Sequence, residues 1–205
     1  MLSARAATRT FLGALLLCFF SSSFAQAPVP RIRGSVEKFE GGVLTIKTRE
    51  GPSVAVKVGD KVGVSGVVAA PLSDVGPGKF VGIATFGQKD GALVALEVLV
   101  FPEAMRGAGE GHYGWDLKPD SLMTNATIDG MVGTAKDRVL TLKYKDGEKK
   151  IYVPEGTPVV TFANADASAL KPGAHVFISR PERAADGSIS ASRVAVGLNG
   201  LVPPM

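Results

Sequence analysis

The chain has 205 residues, of which 23 are basic and 19 acidic, and a single cysteine, Cys18. Charges this nearly balanced, with no concentrated basic stripe, argue against a nucleic-acid or anionic-membrane partner. Cys18 lies in an apolar N-terminal stretch, so beyond it there is no disulfide, no thiolate metal site and no cysteine nucleophile.

At the N-terminus, Arg5 and Arg9 flank the start of the apolar run FLGALLLCFF, residues 11–20, and no acidic residue precedes Glu37. The run has the length of a signal-peptide core and falls short of the roughly 20 apolar residues that span a membrane. Residues 1–25 are therefore read as a cleaved secretory signal. The small residues Ser23 and Ala25 place the cut after Ala25. A cut after Ala27 also has small residues but leaves Pro28 beside the scissile bond. No transmembrane span is expected after cleavage.

Residues 30–101 and 127–198 read as two copies of one β-rich unit. The stretch VLTIKTREG at 43–51 returns as VLTLKYKDG at 139–147, SDVGPGKFVGI at 73–83 as SALKPGAHVFI at 168–178, and KDGALVALEVLV at 89–100 as ADGSISASRVAV at 185–196. Leu44 and Ile46, and later Leu140 and Leu142, alternate with polar residues at period two, the signature of a half-buried strand. Asp90-Gly91 and Asp186-Gly187 supply tight-turn chemistry between such runs. Five short strands per copy, with the longest connection between the third and fourth, predict a small closed barrel, since closure hides edges that an open sheet exposes. A unit of about 70 residues is marginal as an independent core, so the copies are expected to pack together. Residues 93–101, LVALEVLVF, are apolar on both faces and are expected to be covered outside by the linker or the second barrel.

Each copy carries G-x-V near its start, V-L-T-x-K-x-x-x-G, a Pro-Gly turn (L-K-P-G in the second copy) and D-G before its last strand. In this it resembles the domain-of-unknown-function family numbered fifty-six sixty-six. The resemblance implies an all-β fold of two tandem five-stranded OB-like barrels in an exported bacterial protein, with structural motifs and no assigned activity.

Residues 102–126 differ in character and read as a structured Gly/aromatic linker. They hold the sole tryptophan, Trp115, together with His112, Tyr113 and several carboxylates. A long connection of this kind is often functional. Two readings follow. In the first, the linker clamps the barrels, with Phe101, Tyr113 and Trp115 packed between them and Arg106 paired to a carboxylate. In the second, it is a ligand site, with Arg106, Tyr113 and Trp115 contacting a small molecule, or Glu110, His112 and Asp116 holding a divalent metal with Met105 as a soft ligand. The sequence specifies no cofactor, and nothing in the linker has metal-ligand spacing. Phe80 and Phe177 are expected to face outward as a binding surface. Residues 199–205 form a Pro-rich tail.

No nucleophile motif or convergent catalytic group is recognisable. The expected function is that of a periplasmic or secreted, non-enzymatic binding or scaffold protein of the cell envelope, whose partner is an envelope protein or a small ligand. A periplasmic metal or small-ligand carrier is the alternative, and a carboxylate-dependent hydrolase the second alternative. Export predicts that the purified mature protein begins at Gln26. Intact-mass measurement checks this, and a chain that retains residues 1–25 would contradict it.

Overall fold

The computed structural model describes residues 29–59, 61–134 and 137–205, so the expected signal lies outside the described residues. The described residues are all-β, with fifteen strands in one continuous sheet. The first copy contributes β1 (Ile32–Glu40), β2 (Val43–Thr48), β3 (Ser53–Lys57), β4 (Gly63–Ala69), β5 (Phe80–Lys89) and β6 (Ala92–Val100). The connecting segment adds β7 (Gly111–Gly114). The second copy contributes β8 (Leu122–Gly133), β9 (Asp137–Tyr144), β10 (Gly147–Pro154), β11 (Val159–Asn164), β12 (His175–Ile178), β13 (Glu182–Arg183), β14 (Ile189–Ser190) and β15 (Arg193–Gly197). Three single 3-10 turns, including Leu72–Asp74 and Ala167–Ala169 at matching places in the two copies, are the helical content among the described residues.

Local chemistry explains the hairpins. At the β5–β6 turn both Asp90 (φ 51°) and Gly91 (φ 79°) are left-handed, as a two-residue turn matching the strand twist requires. Period-two alternation then places Leu44, Ile46, Leu140 and Leu142 on inward faces, each fully buried.

Strand pairing corrects the tandem arrangement. A closed five-stranded ring runs β5–β6–β10–β9–β8 and back to β5. It takes two strands from the first copy and three from the second. Its core joins Val81, Ile83 and Val98 to Ile128, Leu140 and Ile151. A second group of strands follows the order β15–β12–β1–β2–β3–β14–β13, and its core joins Val36, Leu44 and Val56 to Leu170, Ile178 and Val194. Each core is thus made of the first half of one copy and the second half of the other. The crossing is made by β4 and β11, which pair antiparallel from Val160↔Ala69 to Asn164↔Ser65. The same strands run parallel to β15 and β6 respectively. They hold the same position in their two copies, so their antiparallel pairing sets a local two-fold relation between the halves. Periodicity dictates which face a residue takes and leaves open which strand lies beside it.

The linker is also more regular than a structureless connection. Glu103–Met105 forms a 3-10 turn, β7 pairs with the first half of β8, and β8 begins at Leu122, inside the stretch assigned to the linker. No helix among the described residues is long and apolar enough to cross a membrane.

With both copies in each core, the halves should lose structure together. Leu140→Ala empties a fully buried position and is expected to cost about 2–5 kcal/mol. Urea denaturation followed by near-UV dichroism and by Trp115 fluorescence should show coincident single transitions, whereas two separated transitions would mean independent halves.

Candidate functional site

Beside the two cores, the bridging strands carry a third apolar cluster on their outer face. Leu99 of β6, Val160 of β11, Val67 of β4, Ala195 of β15 and Phe177 of β12 contribute to it, one from each of five adjacent strands. Two segments cover this row. The linker lays down Phe101 and Trp115, with Phe101 against Phe80 at 5.3 Å and Phe162 at 6.0 Å, and Trp115 edge-on to Phe177 at 6.2 Å. Phe80 and Phe177 do face out of their cores, but these contacts bury them to 3% and 7% exposure, so neither forms an open surface. The second covering segment is the tail. Chain reversal at Asn199 and Gly200, both left-handed, returns Leu201 N–H to the Leu198 carbonyl at 3.0 Å. The side chain of Met205 then enters the cluster and is 2% exposed.

A group of charged side chains borders the same cluster. Arg33 on β1 is buried. Its Nε donates to the Met205 main-chain oxygen at 2.7 Å, and its Nη2 to Asp116 Oδ1 at 2.7 Å. Arg49 Nη2 donates to the Pro203 carbonyl at 2.9 Å. The Arg31 guanidinium lies over Trp115, its Cζ 3.8 Å from the ring centroid, and pairs with Asp116 at 3.4 Å, so the contact combines cation–π attraction with an ion pair. Burial alone would raise the Asp116 carboxyl, but the hydrogen bond from Arg33 and the charges of Arg33 and Arg31 hold it below its usual value. Glu97 on β6 is wholly buried, and both its oxygens lack a hydrogen-bond partner. Burial pushes its carboxyl up to about 8, against the opposing pull of Arg33 and Arg49. Arg31 Nε and Trp115 Nε1 are likewise buried without a partner. Native proteins rarely leave such atoms unpaired.

Of the residues expected at a linker site, Trp115 and Asp116 belong to this charged group. The others go elsewhere. Arg106 forms an ion pair with Glu103 and donates to the Gly78 carbonyl at 2.9 Å, fastening the linker to the turn before β5. The Tyr113 hydroxyl meets Asn125 Nδ2 at 3.2 Å, and the same amide nitrogen donates to the Ala108 carbonyl at 3.1 Å, which closes the glycine-rich loop. Glu110 accepts the Lys145 amide at 3.0 Å. His112 shares a 2.8 Å hydrogen bond with Thr124 and stacks on Tyr144. It borders a depression of about 380 Å³ whose walls include Gln88, Lys149 and Lys150. Burial, and secondarily Lys149, lowers its pKa. Glu110, His112 and Asp116 are therefore engaged separately. Among the described residues no three His, Cys, Asp or Glu converge on a metal position, and Met105 sits in the 3-10 turn.

Sequence reasoning missed Glu97 and the tail, although each leaves a signal. Glu97 is the lone carboxylate in a strand apolar on both faces. Asn199-Gly200 is a strong reverse-turn dipeptide, which points the tail back over the protein. The chain matches no family model, no curated protein and no solved structure.

Because the folded-state pKa of Glu97 lies above the ordinary carboxylate value, the native protein keeps a proton that the unfolded chain has released. Its stability therefore falls as pH rises from about 4.5 to about 8. Glu97→Gln should remove this slope. At pH 9 the variant is expected to exceed the wild type by a few kcal/mol, at about 1.4 kcal/mol per pKa unit, with little difference at pH 4. Urea melts across this range check it; parallel curves for the two proteins would contradict it.

Proposed function

We propose that the protein is an exported, non-enzymatic binding protein of the cell envelope, and that it binds through the charged junction beside the bridging strands. The observation that carries this reading is the set of buried polar atoms without partners at one place: both Glu97 oxygens, Trp115 Nε1 and Arg31 Nε. A fold gains nothing from leaving them unpaired, and each such group costs on the order of 1–3 kcal/mol. A ligand that brings its own donors and acceptors would recover that energy on binding. Trp115 and the arginines add a flat aromatic surface and fixed forks of N–H donors, the residue types that dominate binding hot spots.

Export rests on the N-terminal apolar run, and the bacterial envelope address on the resemblance of both copies to the family of exported domains. In this reading each core is an OB-like barrel that has exchanged its second half with its neighbour. Fold alone assigns no activity, so the junction carries the functional argument. The linker's role in it is to deliver Trp115 and Asp116, with Arg106 and Tyr113 holding the linker in place. The metal-carrier alternative draws no support from Glu110, His112 and Asp116, which serve separate contacts.

A photo-reactive residue at the exposed position Lys118, three residues beyond Trp115, tests the proposal in the cells that make the protein. A discrete crosslinked adduct is expected. It should weaken when Arg31→Ala removes the guanidinium over Trp115, and be absent when the probe is placed at Glu182 on β13. No adduct from Lys118, or equal adducts from both positions, would count against the junction as a binding site.

A further inference from the structure

The tail seated at the junction is itself an extended peptide segment. From Leu201 to Met205 its residues dip toward and away from the protein in turn: Val202 is 48% exposed, Pro203 is buried and Met205 is 2% exposed. Arg49 and Arg33 hold it through main-chain oxygens, those of Pro203 and Met205, while apolar contacts take the side chains of Leu201 and Met205. Main-chain recognition with pockets for alternate side chains is how proteins bind extended peptides. Proline favours it further, because its fixed φ leaves less freedom to lose on binding.

Two further observations set this contact apart from a tail that merely packs. Glu97 is wholly buried and unpartnered, and the charges of Arg33 and Arg49, the two arginines that hold the tail, bear on its carboxyl. Leu99, two residues along β6 from Glu97, packs in the same cluster as Met205. A buried carboxyl therefore lies beside the tail's apolar cluster with no hydrogen-bond partner supplied by the tail. The return of the tail is also built in, since a Cβ on Gly197 would stand 1.7 Å from the Leu201 carbonyl oxygen.

We infer that the groove bordered by Arg33, Arg49, Glu97 and Phe177 is a binding site for extended, proline-bearing peptide segments with an apolar anchor two residues after the proline, and that residues 201–205 are its resident, displaceable occupant. The inference rests on the junction's being the protein's binding site, and adds the class of ligand and its control. A partner segment displaces the tail, takes the two arginine contacts and offers the Glu97 carboxyl a hydrogen-bond partner that the tail lacks. The tail keeps the groove closed to weak competitors, because a short tether gives it an effective concentration on the order of millimolar.

The probe is a fluorescently labelled LVPPM peptide, titrated by anisotropy against the full-length chain. Wild type, whose own tail competes, is expected to bind weakly. Met205→Asp drives the tail's anchor out of the apolar cluster and should bind the peptide at least ~10-fold more tightly; Arg49→Ala added to it should abolish the gain. Equal affinity of wild type and Met205→Asp, or no saturable binding to either, overturns the inference. Should Met205→Asp fail to fold, Gly197→Ala unseats the tail from its other end and is held to the same comparison. Should both fail, millimolar peptide must still give a saturable shift with wild type that Arg49→Ala loses. A Lys118 adduct without peptide binding would remove this inference and leave the binding-protein reading standing; peptide binding without an adduct would do the reverse.

Discussion

Strands β4 and β11 hydrogen-bond to each other over residues 65–69 and 160–164, and the rest of the molecule is arranged around that pairing. It carries each copy's chain from one core to the other. Because the two strands are equivalents from the two copies, the pair lies on a two-fold relation and leaves neither edge open: β6 runs along one side and β15 along the other. An extended crossing segment would otherwise present unpaired backbone groups. Here it becomes the centre of a continuous sheet, and its outer face supplies the floor of the candidate site.

That floor explains why charge collects where it does. The outer row of Leu99, Val160, Val67, Ala195 and Phe177 is apolar and needs cover, and the linker and tail supply it. The tail brings polar main chain with it, which Arg33 and Arg49 satisfy, and the linker brings Asp116, which accepts from Arg33. Glu97 bonds to neither arginine: Arg33 donates to Met205 and Asp116, and Arg49 to Pro203. Nearby positive charge without hydrogen bonds repays little of the cost of ionising a desolvated carboxyl, consistent with burial winning over the arginines in setting the Glu97 carboxyl. The energetically expensive part of the molecule is therefore concentrated beside its two covering segments.

Much of the fold was legible in the sequence. Period two gave the inward faces of Leu44, Ile46, Leu140 and Leu142, and Asp90-Gly91 gave a hairpin turn. The double-sided apolarity of residues 93–101 pointed to an outer cover, which for Leu99 is the central cluster. The exchange of halves was not legible, for a physical reason: the copies are so alike that VLTIK and VLTLK offer a neighbouring strand nearly the same surface. Exchanging partners changes few local contacts, and no alternation pattern distinguishes the two arrangements. The site was legible in part. Trp115 and Asp116 stood out as unusual residues in an unusual segment, and they do meet at the junction. Glu110 and His112 were grouped with them by proximity in sequence, but the short strand β7 and its flanking turns spread them over different neighbours. The partner of Glu110, the Lys145 amide, comes from the second copy, and that of His112, Thr124, stands across the β7–β8 pairing, so neither could be read from linker spacing.

The exchange of halves also bears on the order in which the protein can be built. A chain made from its N-terminus has all of β1 to β6 available early, but neither core can close on those strands alone. The ring around Leu140 waits for β8 to β10, and the other core waits until β15, near residue 197, has appeared. Contacts so distant along the chain make for slow folding and leave half-made sheets exposed meanwhile. For a chain exported as proposed, this delay would keep it threadable until β15 has followed the other strands across.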